Sequence, residues 1–251
     1  MIAERLIINA DDLGISEAVN DAIFELMAQR RISSATVMAN GPALRHAAVG
    51  IKRFPRCSFG AHLNLTQFTP VKSGPGTACL TGADGLMSRS LGKGGFGPSL
   101  LSAMYGELCA QIELLGSVGI ELSHFDSHHH VHTRPQLLPV VKALQRRFKV
   151  RKVRLSKNIY TAEQAFSPAL RRRKQAYNWA LRNLYSTHTT EGFTELLTYK
   201  TELERRPLPY RSVELMAHPG AAYAAEETAL LNSDWLAASG LGSRLMGYHQ
   251  L

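Results

Sequence analysis

"RLIINADDLGIS" occupies residues 5–16, and its second half decides between two folds. The first half, "RLIINA" (5–10), is a short apolar run that reads as a buried strand. "SEAVNDAIFELMAQRR" (16–31) reads as the helix after it, with Ser16 as N-cap. Ala18, Ala22 and Leu26, with Ile23 and Met27, give that helix an apolar stripe. A strand feeding a helix is the unit of both an open doubly wound sheet and a barrel. An open nucleotide-binding sheet favours a glycine-rich phosphate cradle at this junction. This junction instead carries adjacent carboxylates, Asp11 and Asp12, and a single glycine, Gly14.

The same alternation continues along the chain. Strands are expected at "SSATVMAN" (33–40), "SFGAHLNLT" (58–66), "LSHFDSHHH" (122–130), "KVRLS" (152–156) and "SVELMAHPG" (212–220). A short last strand is expected at "SRLMGYH" (243–249). Helices are expected at 42–54, 99–119, 135–148 and 225–239. Residues 67–98 form a long Gly-rich loop of a kind that is often functional. Residues 160–208 read as a helical, irregular insertion in a single domain spanning 1–251. Polar residues recur at the C-terminal ends of these strands: Asp11 and Asp12, Asn40, His62 and Asn64, Asp126 and His128, and His218. In α/β barrels that rim holds the active site.

Composition is that of an ordinary globular chain, 45% hydrophobic and 20% charged over 251 residues. Cys57, Cys79 and Cys109 are widely spaced with no CxxC, which argues against a disulfide framework and fits a reducing compartment. The N-terminus lacks a signal-peptide pattern, and no run approaches about 20 apolar residues. A cytoplasmic protein without a transmembrane segment is expected. Charge is uneven. Residues 142–182 hold thirteen Lys or Arg against one acid, Glu163, a net of +12, so the remainder of this +9 chain sums to −3. That segment is a solvated basic face or a dock for an anionic partner. Nucleic acid is the weaker version, because no nucleic-acid motif or aromatic interleaving accompanies the charge.

"HFDSHHHVH" (124–132) concentrates five of the ten histidines in nine residues. Four imidazoles at a strand end are costly without partners. Two histidines, one carboxylate and an open position make a hydrolytic metal site, which acidifies water and polarises a carbonyl. The carboxylates on offer are Asp11 and Asp12, and the histidines are His62 and those within 128–132. Alternation places Asp11 and Asp12 on opposite faces. It puts His128, His130 and His132 on one face if the strand continues, with His129 on the other.

"LIINADDLGIS", "GAHLNLT", "HFDSHHHVH" and "VELMAHPG", in that order, resemble the successive motifs of the YdjC-type carbohydrate deacetylases. That family includes chitooligosaccharide and hopanoid-associated deacetylases. The resemblance covers residues 5–157 and 212–250. Leu13 departs from the usual Phe, and 160–208 follows no family feature. The resemblance implies a distorted (β/α) barrel, α/β in class and TIM-barrel-like, with mostly parallel strands and outer helices. It implies one divalent metal ion, Mg²⁺ or Zn²⁺, held by Asp12, His62 and His128, with Asp11 as general base. It also implies hydrolysis of an N-acetyl group from an amino sugar. His218 is the candidate acid for the leaving amine, since imidazole titrates near neutral pH. Asp126 is expected to hydrogen-bond a ligand imidazole, and His130 and His132 to support the site or line the sugar pocket. The expected partner is an N-acetylated sugar or glycoconjugate, with an anionic or lipid-linked one favoured slightly by the basic segment. A homo-oligomer stays open. The alternatives are another metal-dependent hydrolase, such as a phosphoesterase, or a non-enzymatic basic protein that binds nucleic acid or anionic lipid.

Overall fold

The "RLIINADDL" run forms the central strand, β1 (Arg5–Leu13), buried along its length after Arg5. The structure is a computed structural model and describes residues 3–88, 96–164 and 167–251. Helix α1 (Glu17–Ala28) follows, and the Ser16 side chain accepts a hydrogen bond from the Val19 N–H, as an N-cap does. The buried face of α1 is Val19, Ile23, Phe24, Leu26 and Met27, with Ala18 exposed. The apolar stripe is thus rotated away from the expected Ala18 edge toward the bulkier residues. Gly14, at φ 101°, makes the turn between β1 and α1; a Cβ there would stand 3.0 Å from the Met38 carbonyl oxygen. Only glycine enters that conformation at little cost.

The chain continues through β2 (Ser34–Val37), α2 (Leu44–Ile51), β3 (Ser58–Leu63), α3 (Pro98–Ser117), β4 (Phe125–Ser127), α4 (Leu138–Phe148) and α5 (Pro168–Asn183). Then come β5 (Gly192–Glu195), α6 (Leu196–Arg205), β6 (Ser212–Ala217), α7 (Ala225–Asn232) and α8 (Trp235–Ala238). Six strands pair in the order β4-β3-β2-β1-β6-β5, all parallel. They form a curled half-barrel with helices around it. Strands covered on both faces read as continuous apolar runs rather than alternating ones, and β1 and β6 do so.

Five expectations differ from what forms. "KVRLS" is not a regular strand. Residues 151–159 instead bridge the two edges of the sheet at isolated points. The Phe125 N–H donates to the Lys152 carbonyl at 3.0 Å, the Arg154 N–H to Phe125 at 2.9 Å, and the Asn158 N–H to Phe193 at 3.2 Å. Only three residues long, β4 offers no ladder for a longer partner. The second difference is its cause: "HHH" leaves the sheet after Ser127 in a tight turn, with His129 and His130 at φ 50° and 53°. Third, 160–208 is not only helical, because it supplies the edge strand β5. Fourth, "SRLMGYH" makes one bridge, Leu6 to Leu245, and then turns. Fifth, helix 225–239 is broken at Ser233 into α7 and α8. The expected Gly-rich loop is described on both sides of residues 89–95, which lie outside the described residues, as do 165–166. The Asn40 side chain donates to the carbonyls of Gln67 and Thr69, and Glu107 accepts from the N–H groups of Val71 and Lys72.

Candidate active site

The rim at the C-terminal ends of β1, β3, β4 and β6 assembles the predicted residues in one place. Between Ala10 and Leu13 the register of β1 against β2 shifts, and Asp12 takes φ 67°. This bulge with its left-handed residue aims both Asp11 and Asp12 into the barrel mouth, where strict alternation separates them. Backbone in this region costs a non-glycine residue on the order of 1–3 kcal/mol and clusters at functional sites. Asp12, His129 and His130 share it here.

Asp12 Oδ1 stands 2.8 Å from His128 Nδ1 and 3.2 Å from His62 Nε2. All three side chains are buried. The other nitrogen of each ring is already engaged. His62 Nδ1 faces Asp126 Oδ1 at 2.7 Å, and His128 Nε2 faces Gln67 Oε1 at 2.8 Å. Asp126 therefore sits against His62, not His128. Burial alone raises a carboxyl's pKa, but the His128 and His62 imidazoles beside Asp12 hold it well below the ordinary range. Burial opposes charging of His62, and Asp126 and Asp12 reverse that and push its pKa well up.

A second buried centre lies directly beneath. Arg154, fully buried, grips Asp11 with two hydrogen bonds of 2.7 Å, touches Asp126 Oδ2 at 2.6 Å and reaches Glu214 Oε1 at 2.7 Å. Thr36 donates to Asp126 at 3.0 Å, and Asn9 donates to Asp11 at 2.9 Å. Burial disfavours the charged form of Asp11, yet Arg154 outweighs it and holds the carboxyl well below its usual range. Burial pushes Glu214 up to about 7. Its carboxyl also accepts from Tyr248, whose ring stacks on His124 at 3.6 Å between centroids.

These residues fit a divalent cation. Asp12 Oδ1 is buried and receives no hydrogen bond of good geometry among the described residues, although two imidazole nitrogens converge on it. The three ligand atoms lie within 4.8 Å of one another. Asp11, Asp126 and Glu214 share the Arg154 guanidinium, and Asp12 faces the two imidazoles instead. A second cluster, Asp11, His62 and Asp126, also has ligand spacing. Arg154 already occupies its carboxylates, and His62 Nδ1 is committed to Asp126. A two-metal phosphoesterase arrangement would have to displace Arg154.

The family model described as YdjC-like protein matches residues 5–239. The chain belongs to the YdjC-like family. A carbohydrate deacetylase of Brevibacillus brevis is 32% identical over 240 residues, 89% of this chain and 88% of that one. A carbohydrate deacetylase of Geobacillus stearothermophilus is 40% identical over 148 residues, 57% of each chain. The chain thus matches little more than half of that relative's length. A crystal structure from Enterococcus faecalis V583, of a protein named for cellobiose-phosphate cleavage, superposes with a TM-score of 0.79 at 22% identity. It covers 99% of this chain and 98% of that one, and so shares the fold.

The remaining histidines of this YdjC-like run do different things. His129 Nδ1 meets Thr66 Oγ1 at 2.7 Å. His130 lies edge-on to Phe193, 5.9 Å between centroids, and burial pulls its pKa down to about 4. His132 is buried between Ser127, at 2.5 Å, and the Arg154 carbonyl, at 3.2 Å. Burial holds it neutral. It supports the backbone that carries Arg154. His218 follows β6. Its N–H donates to Glu227 Oε2 at 2.7 Å, and its Nδ1 lies 3.5 Å from the same oxygen. Burial lowers its pKa, but Glu227, Asp11 and Asp12 raise it overall. Asp11, Asp12, His62, His128, His130 and His218 all line one cleft of about 480 Å³.

Sequence reasoning missed Arg154, Gln67, Thr36, Glu214 and Glu227. Arg154 lies within the basic segment by sequence, yet it is fully buried. Much of that segment is structural. Lys142 is buried and donates to the Leu181 carbonyl, Gln145 and Thr187. Arg182 donates to Thr189 and to the Thr190 carbonyl, and Arg147 pairs with Glu113 at 2.7 Å. No helix among the described residues is long and apolar enough to cross a membrane.

Proposed function

We propose that the protein is a metal-dependent carbohydrate de-N-acetylase that hydrolyses the acetamide of an N-acetylated amino sugar. The observation that carries this is the convergence of Asp12, His62 and His128 on one side of a cleft shared with Asp11 and His218. Family membership and relatives named carbohydrate deacetylase point the same way.

Asp12, His62 and His128 would hold the cation, and two imidazoles with one carboxylate suit zinc-class ions. Such an ion, when bound, lowers the pKa of water and polarises the acetamide carbonyl. Asp126 fixes the ring of His62 so that Nε2 faces Asp12, and Gln67 holds Nε2 of His128 so that Nδ1 faces Asp12. Asp11, kept ionised by Arg154, takes a proton from the attacking water. An amide anion is a very poor leaving group, so the departing nitrogen must be protonated. His218 is charged more readily than an ordinary imidazole and donates that proton, oriented by Glu227.

Acetate release from N-acetylated sugars, measured with and without chelator on the full chain, tests the reading. Release that disappears with chelator and returns with added Zn²⁺ or Mg²⁺ is expected. No release from any N-acetylated amino sugar sinks it. The acid role makes a separate prediction. His218→Ala should lower turnover about a hundredfold while leaving bound metal unchanged. A group with a raised pKa is protonated below that value and lost as an acid above it, so wild-type turnover should fall on the alkaline side. The His218→Ala profile should lack that limb. An unchanged pH profile would remove His218 from the chemistry.

A further inference from the structure

The cleft over Asp11 and Asp12 does not end at its polar wall. Beside it lies a second lobe of about 320 Å³. Asp11, Asp12, Ile15, His218 and Tyr223 border both spaces. Beyond that border the two differ in chemistry. The first lobe is lined by His62, Gln67, His128, His129 and His130. The second is walled by Val19, Pro219, Gly220, Ala221 and Ala222. The hydroxyl it adds, on Ser16, accepts from the Val19 N–H as the helix cap and is turned to backbone. Among the described residues, the charged side chains that line this lobe are Asp11, Asp12 and His218, all at the border.

The wall is held in place. It is the turn after β6, and Gly220 stands there at φ 77°. A Cβ at Gly220 would come within 2.9 Å of the Ala22 Cβ and 3.1 Å of the Val19 Cα. The turn is therefore pressed on α1, in a conformation that glycine enters at little cost. The Ala221 N–H donates to the His218 carbonyl at 3.2 Å, and the Ala224 N–H to the Ala221 carbonyl at 2.9 Å. The Gly220 N–H donates to Thr228 Oγ1 at 3.3 Å. Alanine at 221 and 222 leaves open the space that a larger side chain would occupy.

The two lobes match the two ends of a bound amide. The reacting carbonyl carbon belongs beside Asp11 and the leaving nitrogen beside His218, which is the border between them. Sugar hydroxyls on the nitrogen side need hydrogen-bond partners, and the polar lobe supplies them. The acyl side carries only C–H groups, which suit the second lobe. A single methyl group leaves most of its 320 Å³ unfilled.

We propose that this lobe takes the acyl chain, and that the protein hydrolyses N-propionyl and N-butyryl amino sugars as well as acetylated ones. This rests on the de-N-acetylase reading and names a wider substrate class for it. The water oxygen bonds to the acyl carbon and the C–N bond breaks. The products are a short-chain carboxylate and the sugar ammonium, whose nitrogen has gained both water protons.

The first arm measures amine release from N-acetyl-, N-propionyl- and N-butyrylglucosamine by the metal-loaded full chain. Each methylene buried in the lobe should raise kcat/KM about fourfold. A butyryl value lower than the acetyl value overturns the proposal. Ala221→Leu and Ala222→Leu fill the lobe and should each lower the butyryl-to-acetyl ratio about tenfold. Ala225→Leu, exposed on α7 outside the lining, should keep the wild-type ratio. A ratio unchanged in both filled variants, or lowered equally by Ala225→Leu, also overturns it. Thermal unfolding checks that each variant is folded, and either filled variant alone suffices. The second arm needs no turnover. In saturation-transfer NMR on the full, chelator-treated chain, the terminal methyl of N-butyrylglucosamine should be saturated more than the sugar ring protons. Ala221→Leu or Ala222→Leu should remove that difference. A methyl saturated no more than the ring overturns the proposal. If no N-acyl sugar is hydrolysed, the de-N-acetylase reading falls, and the second arm alone decides what the lobe binds.

Discussion

Arg154→Met should destabilise the fold by about 3–5 kcal/mol at neutral pH, the cost of removing one partner from a buried ion network. Methionine keeps most of the volume, so the loss is electrostatic and not a cavity. It leaves Asp11, Asp126 and Glu214 buried without their common cation. The three do not suffer equally. Glu214, already near 7 and hydrogen-bonded by Tyr248, can keep its proton. Asp11 loses both guanidinium hydrogen bonds and, among the described residues, retains the one from Asn9. The pH dependence has a definite sign. In the wild type, Asp11 titrates below its unfolded value, so its contribution is present above the unfolded pKa and is lost as pH falls through the folded one. In the variant, burial without Arg154 moves Asp11 the other way. The gap between the two proteins should therefore be widest near neutrality and shrink on acidification. Urea unfolding at several pH values measures it. A gap under about 1 kcal/mol, or one that widens in acid, would show that Arg154 is not the hub of the site.

The same residue shows where sequence reading ran out. "KVRLS" reads as a strand because valine and leucine flank the arginine, but its place between β4 and β5 was not legible, since nothing in 160–208 marked the edge strand β5. The arginine at its centre was the visible signal. A charged residue inside an apolar run bound for the barrel wall must find buried partners, and the carboxylates Asp11 and Asp126 were already candidates for the interior. Its place among twelve other cations in 142–182 masks this. That a carboxylate from Asp11 or Asp12, His62 and a histidine within 128–132 would meet was legible because parallel strands deliver their ends to one rim, while the choice of Asp12 and His128 came from the family resemblance. Asp11 and Asp12 sharing one cleft was legible only through the family resemblance, because it depends on a bulge and a left-handed residue that side-chain alternation does not encode. For the same reason the alternation expected through His128, His130 and His132 fails at His129. One turn sends His128 to Asp12, His130 to Phe193 and His132 back to Ser127.

Asp11→Asn is the sharpest test of how this site does chemistry, and turnover should fall by about 10²–10⁴-fold, the range of a lost general base. Arg154 uses two of the four lone-pair directions of the Asp11 carboxylate and Asn9 a third, leaving one toward the cleft. The guanidinium keeps that oxygen ionised, at the cost of basicity. So weak a base matches a water whose own pKa is already lowered, which is what the donor set beside it is suited to do. The asparagine keeps the shape, loses the charge, and sets an amide against a guanidinium. Some stability should go with it, so kcat must be compared at a temperature where both proteins are folded. Bound metal should be unchanged, since Asp12, His62 and His128 are untouched. Asp12→Asn should behave oppositely and lose metal together with turnover. If Asp11→Asn sheds metal as well, Asp11 is a ligand and the two carboxylates have exchanged roles. If it keeps both metal and turnover within about threefold of the wild type, far inside the general-base range, the proton leaves the water by another route, and His218 becomes the group to examine.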